Sequence, residues 1–239
     1  MSRSPSSSEP MLNAPPVVLG LIALFIVIHL IRSVLSYDDD LWVILTFAFI
    51  PARYLYPAGE LPGGAGADIW TFVSHMFLHG GWAHVLVNSF WMLAFGTLIA
   101  RRLGPAGFLL LTAISGIAGA ALHLLIYWGE FAPVIGASGG ISGQMGAALR
   151  LMFSNPGGLL AATRRDQRYV RPLTVRETFT SRGPLTFILV WLAINVIFGL
   201  LSFGAGDDAT VAWQAHIGGF LAGLLAFGPI DRWTRRFVL

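Results

Sequence analysis

The chain has 239 residues, 55% of them hydrophobic and 11% charged, with a formal net charge of +3. Soluble domains carry about 25% charged residues, so this deficit, with a mean hydropathy of +0.70, places the chain in the membrane class. It has no cysteine, which excludes disulfides, thiol catalysis and cysteine-held metals, and its basic residues are all arginine, with no aromatic-interleaved basic patch of the kind that binds RNA.

Met1 to Pro16 is rich in Ser and Pro and reads as a disordered cytoplasmic tail. The apolar run behind it is too long for the h-region of a signal peptide. A helix that crosses a bilayer needs about 20 largely apolar residues. Six stretches qualify as predicted spans within a membrane domain over 17–230: about 17–35, 82–99, 104–127, 138–153, 185–203 and 211–230. The fourth is short, which suits a helix that begins below the outer surface at the floor of a water-filled cavity. Between the first two spans lies a long loop, Ser36 to Gly81. Its apolar stretch Leu41 to Ile50 is too short to cross, and Trp42, Phe47, Phe49, Tyr54 and Tyr56 give it an interfacial character. We read it as a partly helical loop resting in the outer leaflet.

Arginine placement orients the spans through the positive-inside rule. Arg101 and Arg102 follow the second span, and Arg232, Arg235 and Arg236 follow the sixth, in a basic tail over 231–239. Arg164, Arg165, Arg168, Arg171, Arg176 and Arg182 lie between the fourth and fifth. The opposite loops hold Asp38, Asp39, Asp40, Glu60, Asp68, Glu130, Asp207 and Asp208. Six spans with both termini in the cytoplasm satisfy every loop.

Polar residues inside a membrane are costly and mark function. The second span opens with His75, His79, His84 and Asn88, and the last two share a helix face. A ring N–H and an amide N–H on one face can hold a developing oxyanion, although such residues also tie helices together. His75 and His79 have the spacing of a zinc pair. The His-Glu-x-x-His pattern is missing, though, and no span offers a carboxylate as a further ligand, so no metal is expected. These two are assigned to the outer loop, and His29 and His123 to structural roles.

Ser138 lies in Gly136-Ala137-Ser138-Gly139, at the mouth of the fourth span, and His216 near the start of the sixth. Gly139 and Gly143 match Gly219 and Gly223 in spacing, so the two spans can approach backbone to backbone and bring Ser138 and His216 together. His216 could then act as the base for a serine nucleophile. With no Asp or Glu in the spans to orient it, the expectation is a dyad. Ser138 sits at a helix N-terminus, where free N–H groups favour negative charge. Its own N–H, with His84 and Asn88, could form a three-part oxyanion hole.

Together these motifs closely resemble the rhomboid family of intramembrane serine proteases: Gly-x-Ser-Gly at 136–139, His-x-x-Gly-x-x-x-Gly at 216–223, and His84-x-x-x-Asn88. The resemblance covers about Trp70 to Gly228. It implies a six-span all-α rhomboid-like fold and catalytic Ser138 and His216, with an oxyanion hole of His84 and Asn88. It also implies cleavage of transmembrane protein substrates near the outer face of a bacterial inner membrane, without cofactor, metal or nucleic acid, in contact with membrane lipid. Two positions depart from the family pattern. Thr71 follows Trp70 where Arg is usual in the outer loop. Ser142 stands where bacterial relatives often place an aromatic against the catalytic histidine, so His216 must be held otherwise. The rival reading is a non-catalytic rhomboid-like chaperone or adaptor that binds transmembrane helices, and the retained Ser138–His216 pair speaks against it. A solute transporter is disfavoured because two-half symmetry and paired broken helices are lacking.

Overall fold

A computed structural model of the chain describes residues 14–57, 60–154, 170–201 and 212–236. Most of the expected N-terminal tail, Arg164, Arg165, Arg168, Asp207 and Asp208 lie outside the described residues. Among those described, the protein is built of α-helices and has no strand. Three helical runs are long and apolar enough to cross a membrane: Pro16–Ser33, Trp82–Ile126 and Arg182–Gly199.

Helix α1 is Pro16–Ser33, opened by a proline whose fixed φ and missing N–H suit a first turn. It is followed by α2, Tyr37–Phe47, whose N-cap Ser36 accepts from the Asp39 N–H and whose first turn holds Asp38, Asp39 and Asp40. Three carboxylates at that end match the positive pole of the helix. Asp40 also pairs with Arg32 at 2.7 Å, and Arg32 donates to the His79 carbonyl at 2.8 Å. That clamp fixes the turn between α1 and α2 against the start of the next membrane helix.

The loop over Ser36 to Gly81 is more structured than its sequence suggests. Beyond α2 it forms α3, Gly64–Ser74, and 3₁₀ turns at Pro51–Tyr54 and His75–Phe77. Trp70 donates to the Thr46 carbonyl at 3.1 Å and Tyr54 to the Asp68 carbonyl at 2.6 Å, while the buried Arg53 reaches the Leu45 carbonyl. Thr71 is fully buried, with its hydroxyl on the Ala67 carbonyl. The loop therefore holds its shape with threonine at this position. Burial pushes the Tyr54 phenol up to about 12, so it stays protonated and donating across the neutral range.

Helix α4, Trp82–Trp91, passes through a π segment, Met92–Gly96, into α5, Thr97–Ile126. The expected break between the second and third spans falls at Gly104, with φ 69° and ψ 175°, and Pro105 opens the next turn. A positive φ there suits glycine, and proline cannot continue the preceding helix. Then come α6, Ser138–Met152, and the short α7, Val175–Thr180. The capping box of Thr174 and Glu177 starts α7, and its hydrogen bonds, first from the Thr174 backbone N–H, hold the Glu177 carboxyl below its usual range. Last are α8, Arg182–Leu201, and α9, Trp213–Arg235.

Helix α6 is the centre of the molecule. Every residue from Gly139 to Met152 is buried. At 1.5 Å per residue its 15 residues span about 22 Å, short of the roughly 30 Å hydrocarbon core. Glycines let its neighbours close in. A Cβ on Gly219 would lie 2.0 Å from the Gly139 carbonyl oxygen, and one on Gly223 would lie 2.2 Å from that of Gly143. The pairing 139 with 219 and 143 with 223 makes α6 and α9 parallel. On α5, Gly107 faces Thr234 and Gly119 faces Ala215, so α5 runs antiparallel to both. By contrast α1 and α8 turn apolar surface outward, with only 17% and 11% of their most apolar windows buried. Among the described residues no protein core covers those faces, and lipid suits them.

The far end of this three-helix centre is closed by charge. Arg102, its side chain 1% exposed, forks onto both oxygens of Asp231 at 2.6 and 2.9 Å. It also donates to the Val170 carbonyl, and Arg150 donates to the Leu173 and Leu224 carbonyls. Breaking a buried pair strands a charge and costs about 3–5 kcal/mol. Asp231→Ala should therefore lower the melting temperature of the detergent-solubilised protein far more than Arg236→Ala at the exposed end of the same helix. Equal melting temperatures in the two variants would show that the pair contributes little.

Candidate active site

Ser138 is the first residue of α6, and its position follows from the turn before it. Gly136 adopts φ 118°, and a Cβ there would sit 2.7 Å from His84 Nε2. Only glycine fits both the backbone angle and the space. Its N–H donates to the His75 carbonyl at 2.9 Å, which ties the turn to the outer loop. Two residues earlier, Val134 exchanges backbone hydrogen bonds with Phe49. The chain is thus anchored on both sides just before it enters the helix at Ser138.

The structure brings Ser138 and His216 together. Ser138 Oγ and His216 Nε2 are 2.8 Å apart. The glycine contacts one turn below set that separation, because they fix how near the starts of α6 and α9 can come. The other ring nitrogen, Nδ1, is 2.6 Å from the side-chain oxygen of Asn195, on α8. As expected from spans without Asp or Glu, the group against this nitrogen is not a carboxylate; it is an amide. A search confined to Asp and Glu misses it, yet the one asparagine in the run Leu185–Phe203 was the signal in the sequence.

His84 and Asn88 lie one turn apart on α4. The Gly80 N–H donates to His84 Nδ1 at 3.3 Å. A nitrogen that accepts carries no proton, so neutral His84 bears its proton on Nε2, the atom that faces Gly136 beside the serine. Asn88 is buried and donates one amide hydrogen to the His84 carbonyl at 2.8 Å, leaving the second available. At the N-terminus of α6 the Ser138, Gly139 and Gly140 N–H groups precede the first intrahelical bond, which Ile141 makes to Ala137. Asn88 and Ser138 line one cavity, and a Cβ on Gly136 would meet both His84 Nε2 and Ser138 Oγ.

A cavity of about 620 Å³ runs from this point between α4, α6, α8 and α9. Ser138, Asn88, Asn195 and His216 line its polar end, and Val87, Trp91, Met145, Phe187 and Ile194 line its apolar body. Ser142 faces the cavity too.

The remaining histidines do not line the cavity. His75 is in a 3₁₀ turn, with Nδ1 on the Thr71 carbonyl at 2.8 Å. His79 lies in the link before α4, packed between Phe25 and His84. Both precede the membrane helix and do not share one helical face, so the i, i+4 pairing read from the sequence is not formed. His29 packs edge-on against Trp82, and His123 meets the Ala132 carbonyl and the Tyr127 ring.

A family model described as the rhomboid domain matches residues 66–230. The chain belongs to the rhomboid family. Similar proteins include the "Rhomboid protease GlpG" of Serratia proteamaculans (strain 568), 26% identical over 213 residues, which is 89% of this chain and 62% of that protein. The proteins of the same name from Yersinia pestis (strain Pestoides F) and Yersinia pseudotuberculosis serotype O:3 (strain YPIII) match at the same identity and coverage. The chain thus spans 62% of the length of the curated relatives it matches. In this rhomboid the paired glycines set the serine–histidine distance. Overpacking such a contact costs about 1–3 kcal/mol, and a misplacement of roughly 1 Å can cost about 10²-fold in rate. Gly219→Val should therefore lose most reactivity of Ser138 toward a fluorophosphonate probe while still melting cooperatively. Labelling at the unsubstituted rate would show that this helix pair does not set the distance.

Proposed function

We propose that this chain is an intramembrane serine endopeptidase that cleaves transmembrane proteins near the outer face of a bacterial inner membrane. The observation that carries the reading is the 2.8 Å contact of Ser138 Oγ with His216 Nε2 at the polar head of an apolar cavity. A catalytic serine needs a base in hydrogen-bond reach, and a membrane-borne substrate needs an apolar approach. Both are present in one place.

In this mechanism the Ser138 hydroxyl gives its proton to His216 Nε2 as Oγ attacks the scissile carbonyl carbon. The carbonyl oxygen becomes an oxyanion, held by His84 Nε2–H, the free Asn88 amide hydrogen and the N–H groups at the start of α6. The C–N bond then breaks, and His216 returns the proton to the leaving amine. Water, activated by the same histidine, attacks the acyl-enzyme and releases the acid and the free serine. The residues present complete this cycle without a cofactor or metal.

We also propose six spans with both termini cytoplasmic. The arginine distribution supports this, as does the parallel run of α6 and α9, which carries the start of each toward one face and Arg150 and Arg232 toward the other. The shortness of α6 supports a Ser138 that lies below the outer surface, reachable by water.

Ser138→Ala should abolish both fluorophosphonate labelling and cleavage of a model transmembrane substrate in proteoliposomes, with no change in melting temperature. Cleavage by that variant near the original rate would sink the assignment of the nucleophile. A protein that neither labels nor cleaves, yet captures transmembrane helices, would support the adaptor reading instead. Loss of one oxyanion donor typically costs about 10²–10³ in kcat. His84→Ala should fall in that range and Asn88→Ala below it, since the other donors remain. Unchanged rates in both would place the oxyanion hole elsewhere.

A further inference from the structure

We infer that Asn195 is a positioning residue that fixes which nitrogen of His216 carries the proton, and so makes Nε2, the atom facing Ser138, the base. The inference rests on the serine-protease reading above and adds a third member to the Ser138–His216 pair.

Which way the Asn195 amide points decides where the His216 proton sits. An amide oxygen and nitrogen look alike, and the hydrogen-bond network decides between them. One end of the Asn195 amide lies 2.8 Å from the Trp191 carbonyl oxygen, one turn back on α8. A carbonyl oxygen can only accept, so the NH₂ group must face it. That leaves the amide oxygen, 2.6 Å from His216 Nδ1, as an acceptor. Nδ1 must then donate and carry the proton. A neutral imidazole has a single N–H, so Nε2 is bare and accepts from the Ser138 hydroxyl at 2.8 Å. The chain of donors runs in one direction, from Ser138 through His216 and Asn195 to the backbone of α8. Reversing any one step leaves two acceptors or two donors face to face.

The packing of α8 on α9 makes this orientation rigid. Asn195 is 8% exposed, so water does not compete freely for its amide. One turn below, Trp191 stacks on Phe220, with centroids 4.7 Å apart and planes at 24°. One turn above, Gly199 admits Trp213 so closely that a Cβ would lie 2.2 Å from its ring. Three rungs, 199 with 213, 195 with 216 and 191 with 220, form an antiparallel ladder with the catalytic contact in the middle. Among the described residues the titratable side chain acting on His216 is His84 from α4, and α6 and α8 present uncharged Ser138, Ser142 and Asn195. Among the described residues no carboxylate lines this end of the cavity, and the amide selects the tautomer without adding charge. It also holds the ring where Ser142 replaces an aromatic.

Two measurements on the full chain test this. The first needs no activity. With ¹⁵N-histidine label, and His216→Ala to assign the ring, nitrogen NMR should show His216 Nδ1 protonated and Nε2 bare at neutral pH. A neutral ring protonated on Nε2 would overturn the inference, even if the protein proves to be a protease. The second is kinetic. General-base catalysis contributes about 10²–10⁴-fold. Asn195→Ala should therefore lower kcat by about 10²-fold with KM unchanged. Asn195→Asp, ionised or protonated, still presents an oxygen to the Nδ1–H, and should recover at least about 10-fold of that loss. Asn195→Ala at the original kcat, a loss confined to KM, or Asn195→Asp no better than Asn195→Ala would each overturn it. Failure of the unsubstituted chain to label or cleave would instead overturn the protease reading, and the NMR result would stand apart from that.

Discussion

The contact on which the rest depends is backbone against backbone. Where α6 and α9 run side by side, no side chain separates Gly139 from Gly219 or Gly143 from Gly223. In lipid, helices gain little from hydrophobic burial, because the tails are as apolar as the side chains. Close packing and interhelical hydrogen bonds take its place. Small residues let the helices come near enough for both. The serine and histidine then meet within hydrogen-bond distance at the starts of two parallel helices. A bulkier interface would hold them apart however well the motifs were kept.

Around this centre the molecule divides its tasks. The three-helix centre of α5, α6 and α9 is rigid, glycine-packed and closed at one end by the Arg102–Asp231 fork. The outer loop, through the Gly136 N–H on His75 and the pairing of Phe49 with Val134, presses the entry turn of α6 into place. Helices α4 and α8 supply the flanking polar groups, and both leave large apolar side chains on the surface, among them Leu86, Phe90, Leu189 and Ile197. The polar head of the cavity is thus assembled from four elements, each of which supplies one of the polar side chains Ser138, Asn88, Asn195 and His216.

The two histidines beside the serine have opposite assignments, and their neighbours decide which is which. On His84 the Gly80 N–H occupies Nδ1 and leaves Nε2 as a donor. On His216 the Asn195 oxygen occupies Nδ1 and leaves Nε2 as an acceptor. The same side chain can thus serve as an oxyanion donor in one place and a base in the other. No ionised partner is needed for either, which suits a site where an unpaired charge is costly.

Much of this was legible in the chain itself. Hydropathy located the apolar runs, because a bilayer demands length and apolarity that few other environments do. The expected break near residue 104 appears at Gly104-Pro105, and the matched spacing of Gly139, Gly143, Gly219 and Gly223 named the helix pair that packs. Motif spacing singled out Ser138, His216, His84 and Asn88, since i, i+4 periodicity and glycine context are local properties. The order of the outer loop was not legible, because its hydrogen bonds join residues such as Trp70 and Thr46 that no local pattern links. Nor was the contact of His216 with the one asparagine in the run Leu185–Phe203. Asn195 lies 21 residues away on another helix, and sequence carries no record of which way an amide points. Only the arrangement of helices in three dimensions sets the Trp191 carbonyl behind that amide and His216 in front of it, and with them the direction of every proton in the site.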